Sequence, residues 1–206
     1  MQPVKGMLHR LSVSLIILIF LIPGCIETQS VIGDEREEIP LRLAFNAETL
    51  DRAEDQGPTF DLKEELKDGP VLMLWVGSSC FGCHDWTNLI RESLENGTLN
   101  ESTLSIVSVH RWSNLEGAEE VMNAFGEDTN DSSYTPWKIV MANEQTPALE
   151  YFSGDDTGFN IYEAYGNPST PTLQLIGDNG IKMWQSKNYW ANSTILQEIW
   201  DTASKL

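Results

Sequence analysis

The sequence predicts an α/β domain in which a central mixed sheet is flanked by helices. The run "GPVLMLWVG", Gly69–Gly77, is unbroken apolar chain between glycines. That is the pattern of a strand buried on both faces, as strands of parallel sheets are. Strand-like runs then alternate with amphipathic helical segments, which implies parallel crossovers. Late in the chain, Asn179-Gly180 joins two further apolar runs, a strong signal for an antiparallel hairpin. Parallel and antiparallel pairing in one chain make the sheet mixed.

The elements follow in order. "DLKEELKDG" reads as a short amphipathic helix stopped by Gly69-Pro70. Val71–Val76 is the buried central strand. After it, "HDWTNLIRESLENG" places Trp86, Leu89, Ile90 and Leu94 at spacings of three and four, one apolar helical face. Asn96-Gly97 is its C-terminal stop. Thr103–Val109 alternates as a strand, and Leu115–Phe125 reads as a helix despite the internal Gly117. Trp137–Ala142 is a further strand, and "NIYEAYG" a short helix ending at Gly166. Thr172–Ile176 and Ile181–Trp184 form the hairpin around Asp178-Asn179-Gly180. The terminal helix carries Ile195, Leu196, Ile199 and Trp200 on one side. The predicted order is β-α-β-α-β-(α)-β-β-α, with no internal repeat.

Composition narrows the class. With 206 residues, 41% hydrophobic and 21% charged, the chain is long enough for one domain with a real core plus short appendages. Its formal charge is −18, from 31 acidic against 13 basic residues. Nucleic acid is therefore not an expected partner, because phosphate binding needs a basic face. The acidic balance reads as a solvated surface.

The N-terminus reads as a leader. Lys5 and Arg10 precede "LSVSLIILIFLI", Leu11–Ile22, which carries no charge. A basic n-region before a short apolar h-region is a signal peptide, and the stretch is short for a permanent span of about 20 residues. "IPGC" then resembles a lipobox, in which Cys25 is lipidated and becomes the mature N-terminus; Pro23 departs from the small residue usual there. Residues 1–24 are read as a lipoprotein-type signal peptide and 25–40 as a lipid-anchored acidic tether. Residues 41–206 are the folded domain. Stable anchoring takes two or more chains on Cys25, since one acyl group binds marginally. The body is thus expected outside the cytoplasm, tethered to the membrane. Four Asn-x-Ser/Thr sequons occur, at Asn96, Asn100, Asn130 and Asn192.

The chain has three cysteines, so they cannot all pair within it. Cys25 stands alone, while Cys80 and Cys83 lie two residues apart. "CFGCH", Cys80–His84, fits two chemistries: a dithiol that exchanges with disulfides, or the attachment signature of c-type haem. For haem, Met73, Met122, Met141 or Met183 are candidate sixth ligands. A structural zinc site wants four ligands. There is no second CxxC, and of the three histidines His9 lies in the leader. No metal is expected.

These residues, taken together, resemble the thioredoxin-like family, and more closely its TlpA/ResA-type membrane-anchored thiol–disulfide oxidoreductases. "GPVLMLWVGSSCFGC" is similar to that group's strand-to-active-site segment. "AYGNPSTPTLQLIGDNG" is similar to its stretch from a helix end through a cis-proline to the hairpin. The likeness spans about residues 55–206, and the insertion containing "WKIVMA" suits the subgroup, as does an N-terminal extension. Three positions depart from the pattern. Leu74 stands where thioredoxins carry a buried Asp six residues before the first Cys, Ser79 replaces the Trp just before it, and the dipeptide between the cysteines is Phe-Gly.

The resemblance implies a thioredoxin fold and a redox-active Cys80–Cys83 disulfide with no other cofactor. Cys80, at a helix N-terminus, would be the attacking thiolate, favoured by unpaired N–H groups and the positive dipole end; Cys83 would resolve the mixed disulfide. Pro171 would be cis, with Thr170 offering backbone groups to a substrate strand. Read from the residues themselves, Phe81 and Tyr189 are candidates to line a docking groove. Ser79 and His84 are candidate tuning residues. Expected partners are protein thiols and disulfides and a membrane redox partner. A haem electron carrier and a non-catalytic thioredoxin-fold binding module are the alternatives. Trp86, Trp112, Trp137 and Trp200 read as core.

Overall fold

The structure, a computed structural model, describes residues 38–206. The leader, Cys25 and most of the tether lie outside the described residues.

Everything is organised on strand β4, Val71–Val76, all six residues of which are buried. Alternate side chains of a strand point to opposite faces, and the two halves of the apolar run enter two different cores. Leu72, Leu74 and Val76 pack with Cys83, Trp86, Ile90, Leu196 and Ile199. Val71, Met73 and Trp75 pack with Phe45, Tyr162 and Tyr165. An unbroken apolar sequence is therefore what this strand needs. Burying each large side chain contributes about 1.5–3 kcal/mol.

Helical crossovers and antiparallel pairs build the rest around β4. In chain order the strands are β1 (Leu43–Ala44), β2 (Asn46–Thr49), β3 (Thr59–Asp61), β4, β5 (Ser105–His110), β6 (Lys138–Met141), β7 (Pro147–Glu150), β8 (Asp156–Asn160), β9 (Thr172–Ile176) and β10 (Lys182–Ser186). The helices are α1 (Leu62–Glu65), α2 (Phe81–Glu95), α3 (Ala118–Phe125), α4 (Ile161–Ala164) and α5 (Ser193–Ala203). The main sheet has the order β10-β9-β4-β5-β6-β2-β3. β4, β5 and β6 run parallel, and β9 pairs antiparallel with both β4 and β10. The mixed sheet is as the sequence predicts.

Gly180 has φ +77° in the β9–β10 turn, a conformation glycine adopts without penalty. A Cβ there would also lie 2.7 Å from the Tyr151 ring. On β9, buried Gln174 is fully used. It accepts from Trp75 Nε1 at 2.8 Å and donates to Tyr165 O and Gln185 Oε1, as a buried amide must.

The structure corrects three expectations. The helix expected from Leu115 begins at Ala118, with Gly117 as its N-cap and Glu120 accepting the Gly117 N–H. Leu115 and Glu116 therefore lie on a loop. Strands β2 and β3 extend the main sheet beyond β6, and Leu43, Phe45 and Phe60 join the second core ahead of the predicted first strand. β7 and β8 add, with β1, a separate three-stranded antiparallel sheet. These strands are short and mostly half-exposed, and β7 starts with Pro147, so they lack a period-2 signal. β7 and β8 pair as chain neighbours, and only the β1–β7 pairing joins distant segments.

Candidate active site

β4 delivers the chain to Gly77, where a Cβ would come within 2.6 Å of Trp112 Cδ1; only glycine allows the indole so close. Ser78 and Ser79 follow, and Cys80 caps α2. Cys80 has extended backbone, and its sulfur accepts from the Cys83 N–H at 3.2 Å. Cys80 and Cys83 form a disulfide, with Cα atoms 5.2 Å apart. The two sulfurs differ sharply in surroundings. Cys80 is half-buried at the surface, while Cys83 is fully buried in the core beside Leu74 and Trp86, its sulfur 3.8 Å from Trp75 O.

Three distant segments close on this turn. The first follows β5. Trp112 Nε1 donates to Thr170 Oγ1 at 3.0 Å, and the Arg111 guanidinium is stacked between the Trp112 and Tyr162 rings. Arg111 Nε also donates to Pro168 O, tying this segment to the second, which holds the cis Thr170–Pro171 peptide. The third runs from Asn188 to Ala191. Trp86 Nε1 donates to Asn188 O at 2.8 Å, and Asp85 accepts the Ala191 N–H at 2.9 Å. Gly82 is buried beneath these last two segments. A Cβ on it would lie 2.3 Å from Tyr189 O and 3.2 Å from Pro171 Cδ. The glycine of the Phe-Gly dipeptide is thus set by close packing.

Between the segments a groove of about 300 Å³ opens beside Cys80, walled by Trp112, Leu115, Glu116, Thr170 and Tyr189. Of the residues predicted from sequence, Cys80, Ser79, Thr170 and Tyr189 line it. Phe81 is not in its wall but stands out into solvent, 72% exposed. His84 turns away: Nε2 is 2.8 Å from Ser78 O, and the ring meets Phe125 edge-on at 4.9 Å. Trp86, Trp137 and Trp200 are buried as expected, whereas Trp112 is half-exposed and forms a groove wall. A larger cavity of about 410 Å³, lined by Arg91, Glu95 and Lys138, holds neither cysteine.

Glu116 is the residue that sequence reasoning missed. Its carboxylate accepts the Ser78 N–H at 2.7 Å and the Ser79 N–H at 3.4 Å. Oε2 also lies 3.3 Å from Nε2 of the buried His110. Burial opposes ionisation of Glu116, but the Ser78 and Ser79 hydrogen bonds and the His110 ring outweigh it. They hold the carboxyl below its usual range. Burial also pushes the His110 pKa down, against the pull of Glu116, so the ring favours its neutral form. Among the described residues the one buried carboxylate is Asp55, engaged by Arg52. No buried acid therefore underlies the cysteine pair, in keeping with Leu74. No group of three or more His, Cys, Asp or Glu among the described residues is placed to hold a metal ion.

The site does not fit a covalently attached haem. Both sulfurs would have to be accessible for thioether bonds, yet Cys83 is fully buried on the inner face of α2. His84 Nε2, the nitrogen that would face iron, is taken by Ser78 O. Met73 lies fully buried in the core on the other face of the sheet.

No protein-family model and no curated protein matches the chain. Among solved structures it is similar to a Neisseria meningitidis protein described as a thioredoxin, with 20% identity and TM-score 0.53 over 82% of this chain and 92% of that one. It is also similar to the C-terminal domain of a Bacteroides thetaiotaomicron protein described as a thiol-disulfide oxidoreductase, with 11% identity and TM-score 0.53 over 82% and 99%. A third is a Chlorobium tepidum protein described as the thiol:disulfide interchange protein DsbE, with 14% identity and TM-score 0.51 over 82% and 96%. At these identities the likeness is one of fold, and the chain has the thioredoxin fold.

Proposed function

We propose that this protein is an extracytoplasmic, membrane-tethered thiol–disulfide oxidoreductase acting on protein thiols and disulfides through Cys80 and Cys83. One observation carries the reading. A half-exposed sulfur caps a helix and is bonded to a buried sulfur one turn along, beside a groove that ends at the cis Thr170–Pro171 peptide. Catalysis of exchange needs an accessible attacking thiolate and a resolving thiol that meets it intramolecularly.

In the reducing direction, the Cys80 thiolate attacks one sulfur of a substrate disulfide. A mixed disulfide forms and one substrate thiolate leaves. The Cys83 thiolate then attacks Cys80 Sγ, releasing the second substrate thiolate and closing the Cys80–Cys83 disulfide. Two electrons pass to the substrate, and the two protons of the dithiol go to the released thiolates. A dithiol partner at the membrane restores the pair by the reverse sequence. The Cys83 N–H, 3.2 Å from Cys80 Sγ, and the open N-terminus of α2 stabilise the attacking thiolate. Thr170 presents backbone groups to an extended substrate segment.

The leader and the Cys25 lipobox support the location; among the described residues no helix is long and apolar enough to cross a membrane. Replacing Cys25 with Ser is expected to move the protein from the membrane to the soluble fraction. Redox titration of the pair tests the activity. A reversible two-electron transition is expected, with no Soret absorption in protein made alongside haem-maturation machinery. A pair that no dithiol reduces would leave a non-catalytic binding module, and a Soret band would make the chain a haem carrier.

A further inference from the structure

The acid–base setting of the pair is the open question that Leu74 creates, and the loop after β5 answers it. Glu116 reaches across to the turn leading into Cys80 and takes the N–H groups of Ser78 and Ser79. It stands in the wall of the groove that Cys80 also lines. The buried His110 backs it from β5, with Nε2 3.3 Å away and Nδ1 without a partner. That is the hydrogen-bonding pattern of a neutral imidazole donating from Nε2. The Glu116 side chain is itself only 14% exposed, so its charge acts at longer reach than it would in bulk solvent. The other titratable groups at this corner are spoken for. His84 is bonded to Ser78 O, Asp85 to the Ala191 N–H, and Arg111 is stacked between rings beneath the loop.

We propose that Glu116 is a positioning residue whose carboxylate charge, held over the 78–79 turn, tunes the Cys80–Cys83 pair toward a low, reducing potential. The inference rests on the thiol–disulfide reading. Two opposed effects meet at Cys80. The α2 N-terminus favours the thiolate, while a carboxylate bound to the adjoining backbone disfavours it. A thiolate made less stable makes the reduced pair easier to oxidise; strong oxidants of this chemistry are those whose reduced form is stabilised. Two electrons and two protons then pass more readily from the dithiol to a substrate disulfide.

The test uses the full chain, reduced, with Cys80 ionisation followed by thiolate absorbance and by the pH profile of alkylation. Glu116→Gln keeps an acceptor for Ser78 N–H and removes the charge. Glu116→Asp keeps the charge and shortens the tether. With Gln, the Cys80 pKa is expected to fall by on the order of one unit. At a pH where the thiol is ionised in both proteins, that is a tenfold change in the exchange equilibrium, or a rise of about 30 mV in potential. Asp is expected to stay near the parent. An unchanged or raised pKa in the Gln variant overturns the inference, as does an equal shift in both variants, which would assign the effect to the tether alone. If the parent pair cycles normally through either failure, the oxidoreductase reading stands. If the parent does not cycle, both fall.

Discussion

Two kinds of chain meet at Cys80, and they contribute different things. The stretch from Val76 to His84 is continuous and supplies both sulfurs, the helix cap and the Cys83 N–H that faces Cys80 Sγ. The segments around Trp112, Pro171 and Tyr189 supply no reacting atom. They form the groove, press on Gly82 and hold the turn before Cys80 through Glu116. In the proposed exchange, reactivity would be built locally, by placing a cysteine at a helix start. The reactivity's setting and the shape a substrate meets are built by side chains brought from elsewhere.

The comparison is broken most completely from the local side. Cys80→Ser is expected to reduce catalysed disulfide exchange to the uncatalysed background, with the fold intact by circular dichroism. Full activity in that variant would end the mechanism given above.

A smaller effect follows from pressing the two regions apart. Gly82→Ala gains roughly 1 kcal/mol in helix propensity. Against that, the new methyl meets the Tyr189 carbonyl at 2.3 Å, and overpacking against backbone costs about 1–3 kcal/mol. The clash is expected to win. The urea midpoint should fall, and the Tyr189–Trp190 segment should loosen, read from tryptophan fluorescence. A variant as stable as the parent would mean that the segment yields freely.

Cutting a single tie between the outer segments is milder still. Trp112→Phe keeps the groove wall but loses the hydrogen bond to Thr170 Oγ1, worth about 0.5–1.5 kcal/mol. Exchange with a peptide disulfide should slow several-fold, while exchange with a small disulfide reagent is unchanged. Equal slowing of both would place Trp112 in the chemistry rather than in substrate alignment.

The mildest change is read through pH. Burial lowers the His110 pKa, so on acidification the unfolded chain takes up this proton first, near pH 6.5, and the folded chain later. Stability from the neutral ring is therefore complete above about pH 6.5. It is lost as pH falls from there toward the folded value. His110→Gln is expected to flatten that part of the curve of urea midpoint against pH. Glu116, held below its usual range, adds a separate loss at more acid pH, as its carboxyl protonates in the folded chain.

Much of the frame was legible because its signals are short-range. Val71–Val76 and Thr172–Ile176 match their predicted bounds, and Trp86 and Ile90 occupy the buried helical face. β1–β3, β7 and β8 were not legible, since these strands are short, mostly half-exposed and without a clear apolar alternation. The same holds within the site. Cys80, Cys83 and Thr170-Pro171 were found from motif and order. Glu116 was taken into a helix because the pattern around it is helical, and Trp112 was assigned to the core because large aromatics usually go there. A glycine at 117 capping the next helix was the available sign that Leu115 and Glu116 belong to a loop.

By itself, then, the sequence determined the α/β class, the buried strand that ends in a cysteine pair, the hairpin and the candidate chemistry. Each of these is set by residue periodicity or by neighbours within a few positions. Only the tertiary structure decided that one sulfur is sealed in the core, that Gly82 must lack a side chain and that a carboxylate sits over the turn into Cys80. Those outcomes rest on contacts between residues 38 apart, as for Ser78 and Glu116, and 102 apart, as for Trp86 and Asn188. Chain separation of that length leaves no repeating pattern, because the packing that joins such residues is decided by the whole fold.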